Sequence, residues 1–406
     1  MHWITLRMRV RTPIFNGDDG AGLRPASLRG PMAFWFRALA GTVAGPDVDT
    51  LRRMEESVFG AMGAPSPIAV RLARPLPVEW EQRPQWLEYG DNGEKGPGLG
   101  YLLGQGMGSI VGGRYRLMRP YVAPEQAGLF PLRIGLSGNP AVDALALAAL
   151  WLLCAYGGVG ARVRRGFGGL SIEGVSDGAE HLKAIPWTAE SLRSPGFDHY
   201  RDLTRLWTAT PELRECAAHL PELVDLEKPG VFARPWNDDE VPTYPVLSRA
   251  RTCAGLSVAS NRTWEGLLAH TGTCFSRFRA SVAATPATVH TTPQQGQAAG
   301  DDAAGAAPPT HPLFPLGALG LPVVYANGGR VGERRASPLW LRPVADQGGQ
   351  WHLFSFAFHD RFLPGNPPLV ETYKRRGPVE IRDCDVVELS RRWVEGMKGE
   401  ADPQWQ

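Results

Sequence analysis

Apolar and polar positions alternate singly at the start of the chain. Ile4, Leu6, Met8 and Val10 fall on one side; Trp3, Thr5, Arg7, Arg9 and Arg11 fall on the other. A period of two is that of a half-buried strand, with one face in a core and a cationic face outside it. Beyond the turn-like NGDDGAG the period changes. In LRPASLRGPMAFWFRAL, the residues Met32, Trp35, Phe36 and Leu39 follow i, i+3, i+4, i+7, a helical core stripe, with Ser27 placed as N-cap and Pro31 in the first turn. SPIAVRLARPL (66–76), YRLMRPYVA and FPLRIGLSG (within 115–138) read as further strands, with a glycine-rich insertion, GPGLGYLLGQGMGSIVGG, ahead of the last two. Asn139 and Pro140 open a second helix as N-cap and first residue; Gly157 and Gly158 stop it after Tyr156. GFGGLSIEG closes the series as a strand. The order β, α, β, β, α, β over residues 1–176 is the split βαβ, or ferredoxin-like, arrangement.

Residues 177–240 carry helical signals (HYRDLTRLW, TPELRECAAHL) and no sheet pattern, so they read as a connecting helical segment. Residues 241–406 begin again with a strand (244–258) and a helix (NRTWEGLLAHTGTCFSRFRASV). Two more strands follow, ASPLWLRPV (336–344) and QWHLFSFAFH (350–359). Between that helix and these strands, residues 285–312 are rich in Pro, Gly, Ala and Gln with hardly a large apolar residue, a flexible excursion with nothing to bury. The expectation is an α+β protein: two ferredoxin-like domains, the second more degenerate, joined by helices.

Composition narrows the class. A chain of 406 residues, 43% hydrophobic and 21% charged, has material for two globular cores. Its longest apolar stretch, ALALAALWLLCAY, is shorter than the ~20 residues a membrane-spanning helix needs, and the N-terminal stretch has no signal-peptide pattern. A cytoplasmic location without membrane contact is expected. Five scattered cysteines, with no CxxC pair and no His at ligand spacing, point to reduced thiols and no metal. The net charge of +2 hides an asymmetry, since residues 1–176 hold 19 Lys+Arg against 14 Asp+Glu. From 105 to 170 there are seven arginines and two acids.

The densest candidate chemistry is GGVGARVRRGFGGL (157–170), with six glycines and three arginines. A dinucleotide-binding loop follows a strand and opens a helix; this one follows a helix and opens a strand, and there is no Gly-Lys-Ser/Thr for a P-loop. A plain helix-ending turn explains one or two glycines and none of Arg162, Arg164 and Arg165. A mobile backbone carrying these arginines beside Phe167 suits an extended polyanion, guanidiniums on phosphates and a ring for a base. Arg29 lies near the first helix's N-terminus, which itself favours an anion. RNA is the expected ligand, and DNA is not excluded by charge.

TPIFNGDDGAGLRPASLRGPMAFWFRAL resembles the opening of the RAMP family of subunits that cap the type III-B (Cmr) CRISPR effector. VFGAMGAPSPIAVR, RPYVAP and ALWLLCAYGGVGARVRRGFGGL are similar to the same family, and the second half resembles it more loosely in TWEGLLAHTGTCFSRFR, ASPLWLRPV and FHDRFLP. The resemblance implies a two-domain RAMP protein that binds CRISPR guide RNA toward its 3′ end without cutting it, beside other RAMP subunits, with target RNA a further possible contact. It implies RNA contacts at Arg24, Ser27, Arg29, Gly30 and Arg37 in the first motif, and at Gly160, Arg162, Arg164, Arg165 and Gly166 in the loop. Met32 and Ala33 stand where the family has a Leu-Arg pair, so one cation is missing.

No catalytic residue, metal or cofactor is expected. For metal-free RNA cleavage only His2, or His359 with Asp360, is placed to act. Asp18-Asp19 and Asp238-Asp239 sit in turn-like sequence, where Asp is favoured locally. The competing reading is a guide-processing RAMP endoribonuclease.

Overall fold

In the computed structural model, the residues described are all except 17–21, 89–97, 203–209, 225–233, 235, 238, 285–310, 325–329, 374–377 and 406. The expected excursion at 285–312 therefore lies almost wholly outside the described residues. The first half runs β1 (His2–Val10), α1 (Pro25–Ala44), α2 (Val48–Phe59), β2 (Ala69–Leu72), α3 (Gly98–Leu103), β3 (Gly108–Val111), β4 (Arg114–Leu117), α4 (Pro124–Ala127), β5 (Leu129–Leu136), α5 (Pro140–Tyr156) and β6 (Leu170–Asp177). Two short helices follow, α6 (Phe197–Arg201) and α7 (Pro211–Ala218). The second half runs β7 (Thr252–Asn261), α8 (Trp264–Ala284), β8 (Leu321–Val324), β9 (Arg330–Arg335), β10 (Leu339–Ala345), β11 (Trp351–Phe358) and α9 (Asp383–Gly399), with short bridging strands before α9. The protein is α+β with antiparallel sheets.

The first sheet has the order β2-β5-β1-β6, every neighbouring pair antiparallel. Alternation places Ile4, Leu6, Met8 and Val10 of β1 and Leu132, Ile134 and Leu136 of β5 in the core, beneath α1 and α5. Helix α5 is buried at every residue from Ala141 to Tyr156, which is why its sequence is apolar all round. Its start is fixed locally. Asn139 Oδ1 accepts from the Ala141 and Val142 amides, and the buried Asp143 carboxylate accepts from the Ser137 and Gly138 amides at 2.7 and 2.9 Å.

Several expectations shift. Helix α1 starts at Pro25 with Arg24 in the N-cap place, so Ser27 is a third-position residue and Pro31 lies inside the helix. The reason is Pro25 itself, whose fixed φ and missing N–H suit the first helical position, so the helix begins six residues ahead of Pro31. Helix α2 breaks the expected single α1 crossover; its Asp47 cap accepts from Asp49 and Thr50, and Leu51, Met54 and Val58 form its buried stripe. The glycine-rich insertion is ordered as α3 and the β3–β4 hairpin, whose two-residue turn uses Gly112 and Gly113 at φ 59° and 78°. Two glycines at positive φ are what such a turn demands.

In the second sheet, β10-β11-β7, strands β10 and β11 are largely buried on both faces. Trp340, Phe354, Phe356 and Phe358 join the first half's core, where Trp35 packs 5.3 Å from Trp340 and 5.9 Å from Tyr156. Leu339, Leu341, Leu353 and Ala357 face the other way into a second cluster with α8 and α9. That cluster also takes Phe15, Trp86, Leu99, Tyr121 and Phe167 from the first half. Boundaries at 177 and 241 are therefore not boundaries of the hydrophobic core, because each half completes the other's packing.

Candidate nucleic-acid interface

The glycine-arginine loop is packed rather than mobile. Gly160 and Gly168 sit at φ 89° and 73°, and a Cβ would overlap the carbonyl oxygen of Phe15 at the first and of Val159 at the second. The loop is clamped by hydrogen bonds from Ala161 to Phe15 O, from Gly168 to Pro13 O, and from Val159 to Gly168 O at 2.9 Å. Its glycines serve close backbone approach, which corrects the expectation of a flexible arm. Gly166, at φ 91°, packs against Leu268 of α8.

The loop's cations divide. Arg164 donates to Ser337 O and lies 4.7 Å from the centroid of Trp340; burial lowers its pKa to about 10. Arg165 lies 4.2 Å over Phe275 and donates to Leu319 O at 3.4 Å; burial lowers its pKa to about 9. Both guanidiniums thus grip the second half across the interface. Phe167 is 1% exposed, edge-on to Phe15 at 5.7 Å, and presents no face to a base. Arg162 is different. It is half-buried, in a left-handed conformation (φ 63°) that costs a non-glycine residue roughly 1 kcal/mol or more, with its guanidinium against Gly104 and Gly106.

The first motif divides in the same way. Arg24, Arg29 and Gly30 are exposed at the start of α1, and no side chain caps the helix there. Ser27 is half-buried. Arg37 is held by Glu55 through two hydrogen bonds of 2.9 and 2.8 Å that tie α1 to α2.

A second cationic surface is the outer face of the first sheet. Its register sets Thr5 beside Arg133 and Arg71 beside Arg133 on adjoining strands. The Arg71 and Arg133 guanidiniums lie 4.8 and 4.9 Å from the centroid of the half-buried Trp3 ring. Arg7 is exposed, while Arg9 and Arg11 reach Glu173 of β6 at 3.9 and 2.8 Å. An aromatic ring among arginines on an open sheet is the arrangement that stacks a base and holds its phosphates.

The groups weighed for catalysis are not poised together. His359 is buried; burial, with Arg391 and Arg251 nearby, lowers it to about 4. Burial raises the neighbouring Asp360 to about 6 against the pull of Arg335 and Arg164. His2 opens β1, with its ring 4.7 Å from the His181 ring. No group of three or more His, Cys, Asp or Glu able to hold a metal occurs among the described residues. No described helix is long and apolar enough to cross a membrane.

Residues 7–171 match the sequence profile of the RAMP superfamily. The chain is 30% identical over 192 residues, 47% of its length, to the CRISPR system Cmr subunit Cmr1-1 of Pyrococcus furiosus. Over residues 7–171 the chain is thus similar to the RAMP superfamily. It is also 40% identical over 63 residues, 15% of its length, to the Cmr subunit Cmr1-2 of the same organism. The match spans about half (51%) of the first relative's length and 34% of the second's. The crystal structure of apo Cmr1 from Pyrococcus furiosus aligns over 96% of this chain and 97% of its own, with a TM-score of 0.54 at 20% identity, a shared fold.

The segment similar to the RAMP superfamily covers every cation of both surfaces. Trp3, just outside it, and the pair Arg71 and Arg133 are candidate contact residues that motif reading missed. Their signal was present: Arg71 between Val70 and Leu72, and Arg133 between Leu132 and Ile134, repeat the alternation of β1 on neighbouring strands.

Proposed function

We propose that the protein is a non-catalytic RNA-binding subunit of a type III-B CRISPR ribonucleoprotein. It binds guide RNA toward its 3′ end and helps assemble the effector with other RAMP subunits for antiviral defence. One observation carries the reading: the segment matched by the RAMP profile, residues 7–171, holds the cations of both surfaces. Arg24 and Arg29 with the uncapped start of α1, Arg162, and the face of Trp3, Arg7, Arg71 and Arg133 are the assigned RNA contacts. The strand order β2-β5-β1-β6 supports a ferredoxin-like first domain, and β10-β11-β7 supports a second copy lacking its last strand.

The test uses the purified chain with guide RNA, with and without divalent metal. A gel shift without cleavage is expected. Replacing Arg71 and Arg133 by Gln lowers the salt slope of binding by roughly 0.7 for each lost phosphate contact to single-stranded RNA, and Trp3→Ala costs about 1–3 kcal/mol of stacking. Multiple-turnover cleavage by the isolated chain, abolished by His2→Ala or by His359→Ala with Asp360→Ala, establishes the endoribonuclease instead.

A further inference from the structure

Between the β6 edge of the first sheet and the β10–β11 hairpin lies a cleft of about 340 Å³. Its lining includes Arg11, Ser171, Arg193, Tyr200, Arg342 and Trp351. We propose that this cleft binds one nucleotide unit, its phosphate on the guanidiniums of Arg11 and Arg193 with the buried charge of Arg342 behind them, and its base against Trp351. The site stands on the chemistry of the cleft; only the source of the nucleotide, an RNA strand or the free molecule, rests on the RNA-binding reading.

Charge is the first argument. Three guanidiniums line the cleft, and Glu173 is the carboxylate that lines it with them. Glu173 is already committed, accepting from Arg11 Nη2 at 2.8 Å and from Ser171 Oγ at 2.6 Å. Arg193 spends its Nε on the Glu173 backbone carbonyl at 3.0 Å, and its Nη1 lies 3.6 Å from Glu190.

Arg342 is the second. It is 8% exposed, and its Nη groups donate to backbone carbonyls, Gly157 O at 2.6 Å, Leu170 O at 3.0 Å and Cys154 O. Those carbonyls include the C-terminal end of α5, so the cation neutralises the helix dipole there. Its Nε has no hydrogen-bond partner. A buried cation favours an anion in the cleft beside it. Burial, and repulsion from Arg9 and Arg342, hold Arg11 below the usual arginine range. An arriving phosphate relieves that repulsion. Size is the third argument, because the volume exceeds that of a lone oxyanion and falls within the range of small-molecule sites, with the half-buried Trp351 ring at its rim.

The full chain is titrated calorimetrically with AMP and UMP, and with adenosine and inorganic phosphate as partial ligands. One saturable site is expected for a nucleotide, with each partial ligand at least about tenfold weaker. Arg11→Gln with Arg193→Gln weakens nucleotide binding by about tenfold or more, the scale of lost charge-assisted hydrogen bonds, while Arg193→Lys retains most of it. Circular dichroism shows whether the double variant is folded. Absence of saturable nucleotide binding, phosphate binding as tight as AMP, or undiminished affinity in the folded double variant overturns the proposal. Single-stranded RNA that displaces bound AMP identifies the strand as source; RNA that binds alongside AMP identifies the free nucleotide. Nucleotide binding without any RNA binding leaves the cleft standing and removes the RNA-binding reading, and the reverse result does the opposite.

Discussion

Gly30 and Gly168 differ in what a methyl group would meet. At Gly168 the backbone is at φ 73° and a Cβ overlaps the Val159 carbonyl; at Gly30, on the exposed side of α1, nothing lies within 4 Å. Gly168→Ala therefore destabilises by about 1–3 kcal/mol, and Gly30→Ala stabilises by about 0.4–1 kcal/mol through the unfolded chain, both read from urea midpoints. His359 and Asp360 give a pH test. His359 titrates at about 4 in the fold against 6.5 ordinarily, so between these values the unfolded chain binds the extra proton and stability falls as pH falls. Asp360 titrates at about 6 against 3.8, so between these values the folded chain binds the extra proton and stability falls as pH rises. Across about pH 4–6 the two oppose each other. Asp360→Asn exposes the histidine's dependence and His359→Gln exposes the aspartate's, each shifting the slope of stability against pH by up to about 1.4 kcal/mol per unit, in opposite directions. Equal slopes in the two variants contradict the assignment.

At the scale of elements, the loop from Gly157 to Leu170 behaves as a wedge between the halves. Its arginine clustering was legible from sequence, but the destination of each guanidinium was not. Periodicity cannot show that Trp340 and Phe275, more than a hundred residues away, wait beneath Arg164 and Arg165. Replacing both by Ala is expected to cost about 2–4 kcal/mol of stability, from lost cation–π contacts and hydrogen bonds, and to leave the salt slope of RNA binding unchanged. Arg71→Gln with Arg133→Gln gives the converse, stability within about 0.5 kcal/mol and a reduced slope. Strands and helices with long, clean periods, β1, α5, α8, β10 and β11, were readable to within a few residues. Helix α9 and the β3–β4 hairpin were not. Glycines hid the hairpin, and α9 carries a mixed face whose partner, Ser355 bonded to Trp393 at 3.1 Å, lies on a distant strand.

At the scale of the whole molecule, a chain read as two domains shares its core. Trp35, Tyr156, Trp340, Phe356 and Phe358 form one aromatic cluster contributed by both halves, and Arg342 of the second half neutralises the end of the first half's central helix. Sequence periodicity reports which face of an element is apolar, not which half of the chain covers it, so the packing of residues 1–176 against 241–406 was illegible in the sequence. Separating the halves uncovers Trp340, Phe354 and Phe356 together, a patch that drives association in water. Residues 1–176 and 241–406 expressed apart are therefore expected to aggregate, and to regain solubility when coexpressed. In the intact chain, urea unfolding followed by tryptophan fluorescence and by far-ultraviolet circular dichroism is expected to give coincident single transitions. Deleting 287–308, whose composition offers no apolar face, leaves that midpoint within about 0.5 kcal/mol in free energy, because loop-closure entropy changes slowly with length. Two separated transitions, or a soluble folded first half on its own, would show that the shared aromatic cluster does not couple the halves.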